Sequence, residues 1–184
     1  LMNGRYTNTA IAIHWASALL VVGLIALGWY MVDLPRGPER GENFALHKSL
    51  GLTVFLLTLV RMFWRLRHSP PPYAATTEKW RIRIARCVHY LFYVALILQP
   101  VSGYLSSSFS GYKTKFFGMP LPHWGWRDPP LNEFFTAIHV GTSVVLVVLV
   151  LLHVLGALSH LTARDGLFHR MLPGRRDPKV KGED

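Results

Sequence analysis

Three stretches of the 184-residue chain, 6–32, 87–112 and 134–163, contain no Asp, Glu, Lys or Arg. Each exceeds the roughly 20 residues that carry a helix across a ~30 Å hydrocarbon core. A fourth apolar stretch, about 44–66, is interrupted only towards its ends, by Lys48, Arg61 and Arg65. Long basic side chains in such places lie along apolar surface and extend their charged heads to the headgroups. The pattern predicts four transmembrane helices, over about 8–32, 44–66, 85–109 and 133–162. The first lacks a small-residue cleavage site and exceeds the roughly 7–15-residue apolar core of a signal peptide, so it is read as a helix. Between the spans, Pro70–Pro72 predicts an extended connection, because successive prolines cannot continue a helix. Gly37–Pro38 and Asp128–Pro129–Pro130 break the other two connections. Trp29, Tyr30, Trp64, Trp124 and Trp126 fall near span ends, where amphipathic rings sit at the interface. The fold class expected is all-α, a four-helix transmembrane bundle forming one domain over 1–173, with a polar cytoplasmic tail at 174–184.

Composition agrees with that reading: 51% of residues are hydrophobic and only 16% charged, where soluble domains average about a quarter charged. Of the 20 Lys and Arg, 14 fall on the N-terminus, the 61–86 connection and the C-terminal 164–184, against 6 in the two opposite loops. The positive-inside rule therefore predicts that both termini are cytoplasmic. The formal charge of +10 is explained by topology and by attraction to anionic lipid, and no nucleic-acid surface is expected. A single Cys, Cys87, excludes an internal disulfide framework, a Cys-rich zinc site, protein-ligated iron–sulfur clusters and a C-x-x-C-H haem attachment; it is expected only to pack.

Six histidines fall inside the spans, where a polar ring is costly unless it is paired and so marks a functional site; His14, His47, His139 and His153 are the first candidates. His139 and His153, on the last helix, are 14 residues apart, which is ~21 Å of rise with the side chains within ~40° of one face. They are too far apart to share a metal, but suit two cofactors stacked in depth. Alternating helix direction places His14 with His153 in the inner half and His47 with His139 in the outer half. Two cross-helix imidazole pairs suit two haem groups, each with two axial histidines, in the bundle core. Zinc or copper transport would favour carboxylate or thiolate partners, and the charge-free runs contain no acid. Gly51 and Gly141 lie beside two of the ligands, and Gly23 and Gly103 lie within helices. Small residues there admit a flat macrocycle or close helix packing equally well. Ser102 and Ser106–Ser108 are expected to satisfy backbone or haem polar groups.

The chain resembles the bacterial cytochrome b561 family over nearly its full length. The resemblance rests on I-H-W at 13–15, H-K-S-L-G at 47–51, R-M-F-W-R-L at 61–66 and H-Y-L-F-Y at 89–93. It continues through P-V-S-G at 100–103, F-G-M-P-L-P at 117–122, H-V-G at 139–141 and H-V-L-G-A-L-S-H at 153–160. It implies a bacterial inner-membrane protein with two haem b groups, and axial roles for His14 with His153 and His47 with His139.

An iron with two imidazoles has no open position, which favours outer-sphere electron transfer over oxygen binding. Membrane ubiquinone or another quinone is the natural lipid-soluble partner. The resemblance further implies that some relatives oxidise superoxide at the outer surface and pass the electrons to ubiquinone. An anionic substrate is drawn by positive charge, and Lys113 and Lys115, with Lys48 and Arg127, are the outer candidates. An ordinary solvated loop, or pairing with haem propionates, explains the same residues equally well. His89 and His160, near the inner helix ends, are candidate quinone or haem-propionate contacts; His68, His123 and His169 carry no site. The expected function is electron carriage between a periplasmic donor, superoxide among the candidates, and membrane quinone. The alternative is a relay subunit docking a separate dehydrogenase or hydrogenase.

Overall fold

The computed structural model describes residues 4–73, 77–122, 124–163 and 166–174. His123 and, apart from Gly174, the expected tail at 174–184 lie outside the described residues. Four long helices dominate: α1 (Asn8–Asp33), α2 (Pro38–Arg67), α3 (Lys79–Phe109) and α4 (Pro129–Thr162). A two-stranded hairpin, β1 (Lys115–Phe116) and β2 (Met119–Pro120), lies between α3 and α4. A 3-10 turn, Phe168–Met171, follows α4. All four helices are long and apolar enough to cross a membrane.

The helix ends have local causes. The Thr7 hydroxyl accepts the Ala10 N–H at 3.2 Å, and the Asp128 carboxylate accepts the Leu131 N–H at 3.0 Å, each satisfying an orphan donor of a first turn. Pro38 and Pro129 open α2 and α4, where a missing N–H costs nothing. α2 begins at Pro38 rather than near 44, α3 at Lys79 rather than near 85, and α4 at Pro129 rather than near 133. Runs free of charge measure the part of a helix that lies in hydrocarbon, and these helices continue beyond it as ordinary charged turns.

Burial runs opposite to that of a water-soluble bundle. Thr58, Ser102 and Ser108 are at most 2% exposed, while Leu19 is 72% and Leu155 63% exposed. The apolar side chains face lipid, and small residues let the helices approach. The buried hydroxyls bond to their own helices, Thr58 to the Val54 carbonyl at 2.8 Å and Ser108 to that of Tyr104 at 2.9 Å. A compact apolar patch joins Ala95 of α3 to Leu146 and Leu149 of α4. The close helix pairs are α3 with α4, α1 with α2 and α2 with α3.

Each end of the bundle is tied separately. At the end where the first and last described residues meet (the terminal end), Arg5 donates to the Leu172 carbonyl and Trp15 to that of Met171, both at 2.7 Å. Arg170 reaches the Pro72 carbonyl at 2.7 Å, and Trp64 the Thr7 hydroxyl at 2.8 Å. At the opposite (hairpin) end, Phe117 N–H donates to Ser49 Oγ at 3.0 Å, which pins the β1–β2 turn to α2. Phe117 and Gly118 have φ of 45° and 88°, the pair of positive angles that a two-residue type I′ turn requires. Gly125 lies so close to the Ser108 carbonyl that a Cβ would come within 2.5 Å of its oxygen, so the loop before α4 sits on the end of α3.

Two imidazole pairs at the candidate haem site

Four of the six histidines on the spanning helices meet as two pairs. The His14 and His153 rings lie 6.0 Å apart between centroids, and His47 and His139 lie 6.2 Å apart. Their planes cross at 67° and 76°, so ring stacking does not explain the approach. A metal–imidazole bond of about 2 Å, with about 1 Å more to each ring centre, puts two opposed ligand rings about 6 Å apart. The pairs span α1–α4 and α2–α4, which are not among the closely packed helix pairs. Imidazoles, and not helix backbones, face each other across these gaps.

At the hairpin end, His139 Nδ1–H donates to the Gln99 carbonyl at 2.8 Å, and the Gln99 amide approaches Nε2 at 3.2 Å. A ring that donates from Nδ1 keeps its lone pair on Nε2, the tautomer a metal ligand needs. Gln99 precedes Pro100, which withholds a backbone donor inside α3. Gly103 completes the slot: a Cβ there would fall 2.9 Å from His139 Cε1 and Nδ1. Opposite, Gly28 of α1 faces His47, with a Cβ-to-Cε1 distance of 3.4 Å. His47 Nδ1 is buried with no hydrogen-bond partner among the described residues. A buried lone pair without a partner costs free energy unless a ligand takes it.

At the terminal end, a cleft lined by His14, His89, His153, Arg61, Phe92 and Tyr93, among others, opens beside the chain termini. His89 comes within 5.7 Å of the His153 ring, as near as His14. Phe92 meets the same ring edge-on at 5.6 Å. Arg61 donates from Nη1 to His14 Nδ1 at 3.0 Å. Tyr6 also lines this cleft, and its burial holds the phenol above its usual pKa against the opposing pull of Arg65. It therefore stays a neutral donor.

Two expectations for α2 need correction. Arg61 and Lys48 do not reach for headgroups: both are half-buried and turned inward, Arg61 to His14 and Lys48 Nζ to Ser107 Oγ at 2.7 Å. Both residues lie where the helix faces polar partners, which hold a charge better than the lipid boundary does. Arg65 is exposed as expected. Cys87, expected to pack, is exposed.

Lys113 and Lys115 are both exposed, with Thr114 buried between them against Ser107 at 2.8 Å. The alternation presents both ammonium groups to the surface of the hairpin end. Arg127 packs its stem towards Gly111, whose φ of 84° suits glycine. His160 is half-buried near the end of α4 and does not line the terminal-end cleft, whereas His89 does. Ser106 and Ser107 bond to Thr136 and Thr114, and Ser102 and Ser108 to backbone carbonyls. A Cβ at Gly23, Gly51 or Gly141 would meet open space, so tight helix packing does not require these glycines. Gln99, Gly28 and the inward direction of Arg61 escaped the sequence reading. The one available signal was Pro100, whose missing N–H marks α3 as locally irregular.

Four spanning helices that hold imidazole pairs at two depths make up the plan of a multi-pass membrane cytochrome of the b type. The sequence pattern of the prokaryotic cytochrome b561 family matches residues 5–174, and the chain belongs to that family. Membership implies haem b as the cofactor and quinone-type redox partners in the bilayer. Cytochrome b561 homolog 2 of Escherichia coli (strain K12) is 32% identical over 185 aligned positions, covering 91% of each chain. Probable superoxide oxidase CybB of Yersinia pestis is 26% identical, over 95% of this chain and 99% of its own. Cytochrome b561 homolog 1 of Escherichia coli (strain K12) is 23% identical, over 94% and 99%.

Proposed function

We propose that this protein is a transmembrane dihaem b-type cytochrome of the bacterial inner membrane that carries electrons between a periplasmic donor and membrane quinone. The observation that carries the reading is the pair of imidazole separations, 6.0 and 6.2 Å, at two depths. His14 and His153 would hold one haem and His47 and His139 the other. Haem held between two imidazoles would supply a one-electron couple suited to electron transfer rather than oxygen binding. The Gln99 carbonyl keeps His139 in its ligating tautomer, and Gly103 and Gly28 leave room for the rings. The terminal end lies in the cytoplasm, with one membrane domain through residue 173 and the 174–184 tail beyond it.

Superoxide is the donor this reading favours. The similarity to a probable superoxide oxidase supports it, as do two exposed lysines side by side at the hairpin end. Positive charge raises the encounter rate of an anion and does so less as salt rises. His89, in the terminal-end cleft, and His160 are the proposed proton or hydrogen-bond donors to a quinone carbonyl or a haem carboxylate.

The test begins with haem stoichiometry. Wild type should bind two haems per chain, while His47→Ala and His139→Ala should lose the hairpin-end haem and keep the other. Equal loss of both haems in every single variant would defeat the pairing. A superoxide pulse with a ubiquinone analogue should then reduce haem and afterwards quinone. Lys113→Gln with Lys115→Gln should slow the first step several-fold at low salt and less at high salt. Haems reducible by dithionite but inert to superoxide would rule out this donor and direct attention to quinol or a protein partner.

A further inference from the structure

Arg61 lies 14 residues beyond His47 on α2, the same interval that separates His139 from His153 on α4, and so shares the stripe of α2 that carries the hairpin-end ligand. Where α4 presents a second imidazole at the terminal-end level, α2 presents a guanidinium. That guanidinium is half-buried in a chain read as spanning a membrane, and its described hydrogen bond is to His14 Nδ1 at 3.0 Å.

This contact cannot persist once His14 holds a metal. Arg is a donor only and stays protonated, so Nδ1 must accept and the ring proton must sit on Nε2. If Nε2 binds iron, the proton moves to Nδ1 and opposes the guanidinium donor with another donor. If Nδ1 binds iron, the metal takes the lone pair that Arg61 uses. Either way Arg61 gives up His14 and needs another acceptor. The described residues that line the cleft include Arg5 and Arg65 as further cations and no Asp or Glu. A half-buried cation gains most from a counter-charge, and the described lining offers hydroxyls but no carboxylate, so an anionic ligand supplies what the chain does not.

We infer that Arg61 binds a carboxylate of the macrocycle held between His14 and His153, and so anchors that haem and raises its potential. The inference rests on the dihaem reading above. A planar guanidinium matches a carboxylate in two parallel hydrogen bonds. By neutralising that carboxylate it removes a negative charge from beside an iron that gains an electron on reduction. Arg61 acts here as a positioning residue, because the electron reaches the iron and not the side chain.

The experiment is a redox titration of the purified holoprotein with haem content measured in parallel, on wild type, Arg61→Gln, Arg61→Met and Arg61→Lys. Methionine is included because a neutral apolar side chain suits a membrane helix if glutamine fails to fold. The expected result is a lower midpoint potential for the terminal-end haem, or its selective loss, in the neutral variants. The hairpin-end haem should keep its wild-type potential, and lysine should restore most of the terminal-end potential. Neutral variants that keep both haems at wild-type potentials would overturn the inference, as would a lysine variant as impaired as methionine. Wild-type protein that binds no haem would overturn the dihaem reading beneath it instead.

Discussion

Gly103 shows how one missing methyl makes room for a functional ring. A Cβ at this position would fall 2.9 Å from two atoms of the His139 imidazole, and an imidazole held at Nδ1 by the Gln99 carbonyl cannot simply rotate away. Overpacking of this kind costs about 1–3 kcal/mol. Gly103→Ala should therefore displace His139 and, on the dihaem reading proposed above, lower haem content by the share of the hairpin-end site. Absorbance of the reduced protein after the pyridine reaction reports the count. Gly28→Ala is the milder counterpart, because its added carbon would lie 3.4 Å from His47 Cε1 and a few tenths of an ångström of give suffice. A Gly103→Ala protein with full haem content would show that the slot is not needed. The sequence reading did not single out Gly28, and took Gly103 as room for a macrocycle or for close packing rather than as the neighbour of His139. Gly51 and Gly141, which adjoin ligands, face open space, while Gly28 and Gly103 face the ligand rings from other helices.

At the scale of elements, the sequence reading took Gly37–Pro38 and Asp128–Pro129–Pro130 as breaks in the connections, whereas Pro38 and Pro129 are the first residues of α2 and α4. Gly37–Pro38 and Asp128–Pro129 mark helix starts because a cap and a proline at the first turn act through local backbone chemistry. Asp128→Ala removes the acceptor of the Leu131 N–H and should lower stability by about 1 kcal/mol, seen as a lower thermal midpoint in detergent with haem content retained. Thr7→Ala should cost more, because the same hydroxyl caps α1 and accepts the Trp64 indole N–H. If the two variants match wild type, the caps contribute nothing to these helices. The hairpin between α3 and α4 was not anticipated. Two strands of two residues each carry no periodic signal, and what holds them is a bond from Phe117 to Ser49 on another element.

At the scale of the whole molecule, the arrangement of charge and the inverted burial describe a protein whose solvent is lipid. Large apolar side chains lie outside and hydroxyls lie inside, the reverse of a soluble bundle, because no hydrophobic drive separates helix from hydrocarbon. Along the sequence, 14 of the 20 basic residues fall on the N-terminal, 61–86 and C-terminal segments, which predicts that these segments are cytoplasmic. Labelling of single cysteines with an impermeant thiol reagent, in a Cys87→Ser background and intact cells, checks it. A cysteine at Lys113 should label and one at Lys79 should not; the reverse pattern would invert the topology.

The spans and the depth pairing of the four histidines could be read from the chain alone, because hydropathy and helical rise are local and additive along a helix. Once each helix crosses and reverses, the depth of every residue follows by counting. The rotation of each helix about its own axis is a different matter, since it depends on which neighbour it packs against and how closely. That rotation turns Arg61 towards His14 instead of the headgroups, sets Gly103 against His139, and brings the Gln99 carbonyl to an imidazole 40 residues away. Such facts are contacts between helices, and a contact belongs to two segments at once.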